Sequence, residues 1–159
     1  MDKSIKWGQL FLCLAGPVIL GALAGYASAE SISGWYASLI KPSFNPPNTI
    51  FGPVWTLLYL LMGMSLYLIL QTPSTPSRKK AVLIFLIQFA FNISWSFVFF
   101  NFQSPFFALI NIVVLWIMIL FMILVFRKLS RPAAYLQLPY LAWVSFATVL
   151  NAAIWFLNQ

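Results

Sequence analysis

The chain has 159 residues, of which 62% are hydrophobic, 18% aromatic and only 7% charged. Soluble domains carry about 25% charged residues because something has to face water, so this composition excludes a soluble globular fold. The formal net charge of +7 sits in small groups between long uncharged stretches. With no long basic stretch to track phosphates, it reads as a topology signal and not as a nucleic-acid interface.

A stretch of 18 or more mostly apolar residues reads as a bilayer span, since about 20 residues at 1.5 Å each cross roughly 30 Å of hydrocarbon. The first covers about 7–27. Lys3 and Lys6 ahead of it and Ala27-Ser28-Ala29 behind it imitate a cleavable signal peptide. Its apolar run exceeds the 7–15 residues usual there, and it is read as a retained helix. Gly21 and Gly25 form a G-x-x-x-G pair that can bring two helix backbones together, though small residues also serve packing within one bundle. The lone Cys13 forms no intrachain disulfide and reads as a small core residue.

A polar stretch rich in Ser, Asn and Pro follows at 28–49. Further spans are predicted at about 50–70, 81–102, 106–126 and 133–157. The links between these four are short, which makes neighbouring helices antiparallel. Backbone groups in lipid must be satisfied internally, and runs this continuously apolar lack the alternation of a barrel wall. The expected fold is all-α: one membrane domain over 1–159, an up-and-down bundle of five transmembrane helices with a long loop at 28–49.

Eight of the nine basic residues fall on one side of that arrangement: Lys3, Lys6, Arg78, Lys79, Lys80, Arg127, Lys128 and Arg131. Lys41 falls on the other, near Glu30. Basic residues favour the cytoplasmic side. The N-terminus is therefore expected inside, the C-terminus and the Pro-rich loop outside, and a bacterial inner membrane suits the short N-terminus.

The missing residue types restrict the chemistry. There is no His, and the acids are Asp2 and Glu30, both near helix ends. Proton-coupled carriers usually depend on an ionisable group within the membrane. Metal sites and nucleophilic triads need His, Cys or carboxylate clusters. No metal and no cofactor are expected. What remains is aromatic and amide residues at helical spacing. Tyr140, Trp143, Ala147 and Asn151 share one face of the fifth span, and Gln88, Asn92, Trp95 and Phe99 one face of the third. Trp55, Tyr59 and Met62 share one face of the second. If these faces converge, they wall a flat cavity suited to a planar, mostly apolar ligand with a few polar groups. Spacing alone leaves the other reading open, because aromatic stripes also pack bundles and amides also bond neighbouring helices. Asn111 reads as such a helix-to-helix bond. Trp7, Trp35 and Trp155 read as interfacial anchors.

At the long loop the residues become specific. Trp35-Tyr36-Ala37-Ser38-Leu39-Ile40-Lys41-Pro42-Ser43-Phe44-Asn45-Pro46-Pro47 resembles the W-Y-x-x-L-x-K-P-x-x-x-P-P signature of the TspO/MBR family, the tryptophan-rich sensory proteins and mitochondrial translocator proteins. Phe51-Gly52-Pro53-Val54-Trp55-Thr56-Leu57-Leu58-Tyr59 is similar to the start of that family's second helix. Phe91-Asn92, with Trp95 and Phe99, is similar to its third, and Leu138-Pro139-Tyr140-Leu141-Ala142-Trp143 through Asn151 to its fifth. The resemblance runs in order over nearly the whole chain.

It implies a five-helix bundle whose pocket is capped by the first loop. It also implies binding of porphyrins such as protoporphyrin IX, sterols in some members, and synthetic benzodiazepine-type ligands. Carried over by motif, the ligand-binding residues are Trp55, Asn92, Trp143, Ala147 and Leu150, with Tyr36 in the cap. Pro42, Pro46 and Pro47 restrict the loop and lower the entropy lost when it closes. Thr49 stands where many bacterial relatives carry Trp, which implies a looser closure. The animal proteins' C-terminal sterol motif has no counterpart in Leu150–Gln159, so sterol binding through it is not expected.

Three functions follow. The first is a receptor or sensor holding a porphyrin or another flat amphiphile between Trp55 and Trp143, with Asn92 bonding polar groups and Lys41 attracting propionates. The second is an enzyme that degrades porphyrin in light, with Trp55 and Trp143 as catalytic redox partners. The third is a passive or partner-driven carrier of porphyrin or sterol. The bilayer itself and, by resemblance, a second copy in a homodimer are the other expected partners.

Overall fold

In the computed structural model, described for residues 5–159, the chain is helical almost throughout and has no strand among the described residues. Helix α1 spans Trp7–Ala27. The short helices α2 (Ala29–Ser33) and α3 (Trp35–Ser38) follow, then α4 (Asn48–Leu70) and α5 (Pro76–Ser96). A π-helical segment, Phe97–Asn101, continues α5. Helices α6 (Pro105–Leu129), α7 (Arg131–Tyr135) and α8 (Leu138–Leu157) complete the chain. Among the described residues, five helical stretches are long and apolar enough to cross a membrane. Together with their order this is the five-helix membrane bundle expected from the sequence. Asp2 and Lys3 lie outside the described residues.

Several boundaries differ from the sequence reading, each for a local reason. The third span starts at Pro76, not at 81. Thr75 caps it by accepting a hydrogen bond from the Arg78 backbone N–H, and proline is favoured in a first helical turn. The basic triplet Arg78-Lys79-Lys80 therefore lies in the helix and not in a loop. The fourth span runs on to Leu129, with Arg127 and Lys128 in its last turn, where positive charge complements the helix dipole. The fifth is interrupted: Ser130 caps α7 through the Ala133 N–H, and Leu136-Gln137 separate α7 from α8. The stretch 28–49 is not one loop, since α2 and α3 fill most of its first half and α4 starts at Asn48.

The main core lies where α4, α5, α6, α7 and α8 meet, around Met62, Phe85, Ile119, Phe126 and Tyr140, all essentially inaccessible. Ser65 Oγ donates to the Ala133 carbonyl across this core at 2.7 Å. A second cluster under the cap joins Tyr36 to Phe99, Ala108, Leu150 and Ile154. Helix α1 packs chiefly against α4. Their backbones approach closely at Gly63, where an added Cβ would collide with the Cys13 carbonyl. Gly63 thus does the work that the Gly21/Gly25 pair suggests. Gly21 lies against the Tyr59 ring instead, and Gly25 meets no described atom within 4 Å of a built Cβ.

Candidate functional site: an aromatic cavity beneath the cap

A cavity of about 360 Å³ opens between α1, α4, α5 and α8 and is closed above by α2, α3 and the top of α4. This lies at the lower end of the 300–1,000 Å³ of small-molecule sites. Its wall is mainly apolar. Helix α4 supplies Phe51, Trp55 and Tyr59. Helix α5 and its π segment supply Asn92, Trp95, Phe99 and Phe100, and α8 supplies Trp143, Ala147, Leu150 and Asn151. Tyr36 reaches down from α3. The six residues carried over by motif, Tyr36, Trp55, Asn92, Trp143, Ala147 and Leu150, therefore all line this one space.

The rings interlock. Trp55 stacks on Tyr59 at 5.5 Å and Trp95 on Phe99 at 5.3 Å, while Phe51 stands edge-on to Trp143 at 5.9 Å. Ala147 is the small residue among them, and its short side chain leaves room beside Trp143. Behind the rings runs a buried polar chain. Tyr59 donates to Asn92 Oδ1, Asn92 Nδ2 to the Tyr140 hydroxyl, and Tyr140 to Gln88 Oε1, each at 3.0 Å. Tyr140, Gln88 and Met62 thus sit behind the wall and not on it, although their spacing placed them on the same faces. Asn92 already spends its oxygen and one amide hydrogen on protein partners. Asn151 is engaged as well, accepting from Trp95 Nε1 at 3.0 Å and donating to the Pro105 carbonyl at 2.8 Å. Trp143 Nε1 differs, because it is buried and has no hydrogen-bond partner among the described residues. An unpaired buried donor of this kind costs about 1–3 kcal/mol.

The cap is tied down by its own polar residues. Tyr36 is 5% exposed, donates to Asn45 Oδ1 at 3.0 Å and meets the Phe99 and Phe100 rings edge-on. Burial pushes its phenol above the ordinary range, outweighing the lowering effect of the Asn45 bond, so it remains a proton donor at neutral pH. Asn45 Nδ2 in turn bonds the Pro46 carbonyl. Asn158, just beyond α8, pairs with Ile40 in both directions at 2.9 Å. Trp35, expected at the interface, packs edge-on against Phe99. Lys41 lies over the Tyr36 ring at 4.7 Å and donates to the Ala37 and Leu39 carbonyls. It is not part of the cavity wall. Asn111 bonds Ser94 Oγ at 2.8 Å and joins α6 to α5 as expected.

Sequence reasoning missed the α1 wall (Val18, Gly21, Ala22 and Gly25) and the contribution of Phe51 and Phe100. The α1 residues are small or aliphatic and carry no signal beyond the glycine pair. It missed Asn158 as well, which pairs with a residue 118 positions away.

Fold and cavity together define an integral membrane protein with an aromatic-walled chamber inside a helical bundle, roofed by the connection between its first two spans. The chain belongs to the TspO/MBR family, whose pattern it matches over residues 13–156. It is 41% identical to tryptophan-rich protein TspO of Chlorobaculum tepidum over 99% of both chains. It is 35% identical to the translocator protein of Bos taurus over 91% of this chain and 89% of that one. With the tryptophan-rich sensory protein of Cereibacter sphaeroides it shares 35% identity over 93% and 90%.

Proposed function

We propose that this chain is a membrane receptor or sensor that holds flat, mostly apolar amphiphiles of the protoporphyrin IX type in the cavity under the cap. The observation that carries this reading is the convergence of aromatic faces from three helices on one cavity of ligand size. Trp55 and Trp143 offer ring faces on α4 and α8, with Ala147 as the small residue beside them. The enclosed Trp143 Nε1–H, which has no partner among the described residues, would reach a ligand acceptor only if its ring turned. Asn92 acts mainly through Tyr59 and Tyr140, holding the wall, with one amide hydrogen left for ligand. The relatives named as sensory and translocator proteins support a receptor role. Lys41, turned toward the cap's own carbonyls and the Tyr36 ring, would need to swing free to reach a propionate. The receptor is one membrane domain over 1–159, N-terminus cytoplasmic, in a bacterial inner membrane and paired with a second copy.

The test is a protoporphyrin IX titration of detergent-purified protein followed by tryptophan fluorescence quenching. Saturable quenching near micromolar, roughly −8 kcal/mol, weakened in Trp143→Phe and Trp55→Phe, is the expected result; unsaturable quenching in wild type would sink the tetrapyrrole reading. The second reading, light-driven porphyrin degradation, is favoured by the same two indoles lining one cavity, since they are oxidisable groups close to a bound photosensitiser. Illuminating the titrated samples separates the two. Soret-band loss that vanishes in Trp143→Phe while binding persists would make the protein an enzyme.

A further inference from the structure

A second, open cavity lies nearer the other end of the same helices, between α1, α4 and α5, with a volume of about 330 Å³. Its wall is almost wholly apolar: Leu12, Gly16 and Leu20 on α1 face Leu86 and Phe89 on α5, with Leu66 at its floor. Several of these, including Leu12, Leu20 and Leu86, are more than half exposed or close to it. In a membrane-spanning bundle that exposure faces lipid. The groove runs along α1 from Gln9 to Leu20, eleven residues or about 16 Å. That is close to the depth of one leaflet, half of roughly 30 Å.

The groove is polar and basic at one end. Gln9 accepts a hydrogen bond from Gln71 Nε2 at 2.9 Å, and Arg78 Nη1 donates to the carbonyls of Leu70 and Thr72, just beyond α4. Leu70 itself lines the groove. Lys6, the residue just ahead of α1, stands seven residues before Cys13 and three before Gln9; on α5, Arg78 and Lys79 stand seven before Phe85 and Leu86. These are whole-turn steps, so the three basic residues continue the groove's own faces past its end. Lys80 does not, since its ammonium lies over the Phe121 ring of α6. Glu30, the acid among the described residues, is at the opposite end of α1.

We propose that this groove is a binding site for an anionic glycerophospholipid: one acyl chain lies along Leu12, Gly16 and Leu20 against Leu86 and Phe89, and the phosphate sits among Lys6, Arg78 and Lys79. Each half supplies what the other lacks. An apolar groove alone would accept any lipid tail, and a basic rim alone would attract any anion weakly. Their continuity, at the depth of one leaflet, selects a headgroup with its tail attached. The site is separate from the aromatic cavity and does not rest on the ligand proposed there.

Native mass spectrometry of the full chain in detergent, with equimolar dioleoyl phosphatidylglycerol and dioleoyl phosphatidylcholine, tests this. Retained phosphatidylglycerol should exceed phosphatidylcholine by roughly 30-fold or more, in line with two or three basic side chains near one anionic headgroup. The double substitution K6Q/K79Q, which leaves Arg78 in place, should cut the ratio at least several-fold, while R127Q/K128Q, at the end of α6, should leave it unchanged. Gly16→Leu should cut retention of both lipids. A Cβ at Gly16 meets no described atom within 4 Å, so the added side chain starts in open space on the groove's wall, and an unchanged melting temperature would show that the bundle is intact. Equal retention of the two lipids by wild type would overturn the proposal. So would an equal effect of the two double substitutions, which would mean general surface charge, or full retention by Gly16→Leu.

Discussion

The two sides of the aromatic cavity are built differently. On the α4, α5 and α8 side, rings are stacked and the polar groups behind them are bonded in a chain from Tyr59 through Asn92 and Tyr140 to Gln88. Tyr140 and Gln88 are fully buried there. On the α1 side the wall is a single helix, with 17% of its apolar stretch buried against 33% for each other span. A few polar contacts hold its far end: Ser28 bonds Asn101 Oδ1 at 2.9 Å and Ser96 Oγ at 3.1 Å, and Asn101 Nδ2 reaches the Ala27 carbonyl. One wall is bonded throughout, and the other rests mainly on apolar contact with α4. Pre-organisation lowers the ordering cost of binding, so the bonded wall is the one that would hold its shape with or without a ligand.

The contrast can be broken most severely where α1 and α4 meet backbone to backbone. Gly63→Val drives a branched side chain toward the Cys13 carbonyl. Overpacking of this kind costs about 3 kcal/mol or more when backbone must shift, and a large fall in the detergent melting temperature is expected. Next comes the bonded wall. Asn92→Leu leaves the hydroxyls of Tyr59 and Tyr140 without their amide partner, a loss of about 1–3 kcal/mol, read by the same melt. Smaller again is the cap. Asn158→Ala removes the paired bonds to Ile40 near the surface, for about 1 kcal/mol or less. Its effect should show instead as several-fold faster porphyrin dissociation in stopped-flow fluorescence. The smallest change belongs to the loose wall. Gly25→Ala meets open space and should leave stability unchanged or raise it by up to about 1 kcal/mol, through helix propensity alone. A marked loss there would show that α1 is packed more tightly than this comparison holds.

How much of this was legible in the sequence depended on how local the signal was. The five spans could be read because hydropathy is summed over 20 residues. The start of α5 was misplaced because three charges outweighed the Thr75-Pro76 start signal, although a helix can emerge from the bilayer with its first turn charged. The ligand-facing residues could be placed from spacing and from the family motif. Spacing alone could not separate Trp143, on the wall, from Tyr140, one turn earlier and behind it. That difference is set by how α8 is rotated against α4 and α5, which no single helix encodes. The bond between Asn158 and Ile40 is non-local and carried no signal.

The π segment at Phe97–Asn101 bears on chain length. Its closing bond, from the Phe102 N–H to the Phe97 carbonyl at 2.9 Å, takes in one more residue than an α-turn does. Phe99 and Phe100, consecutive in sequence, both reach the Tyr36 ring there. Removing a single residue from this segment would restore an ordinary helix and turn one of those rings out from under the cap. In this chain an insertion or deletion at that point would matter as much as a substitution, and an alignment that slides a gap through it would mispair the roof of the cavity.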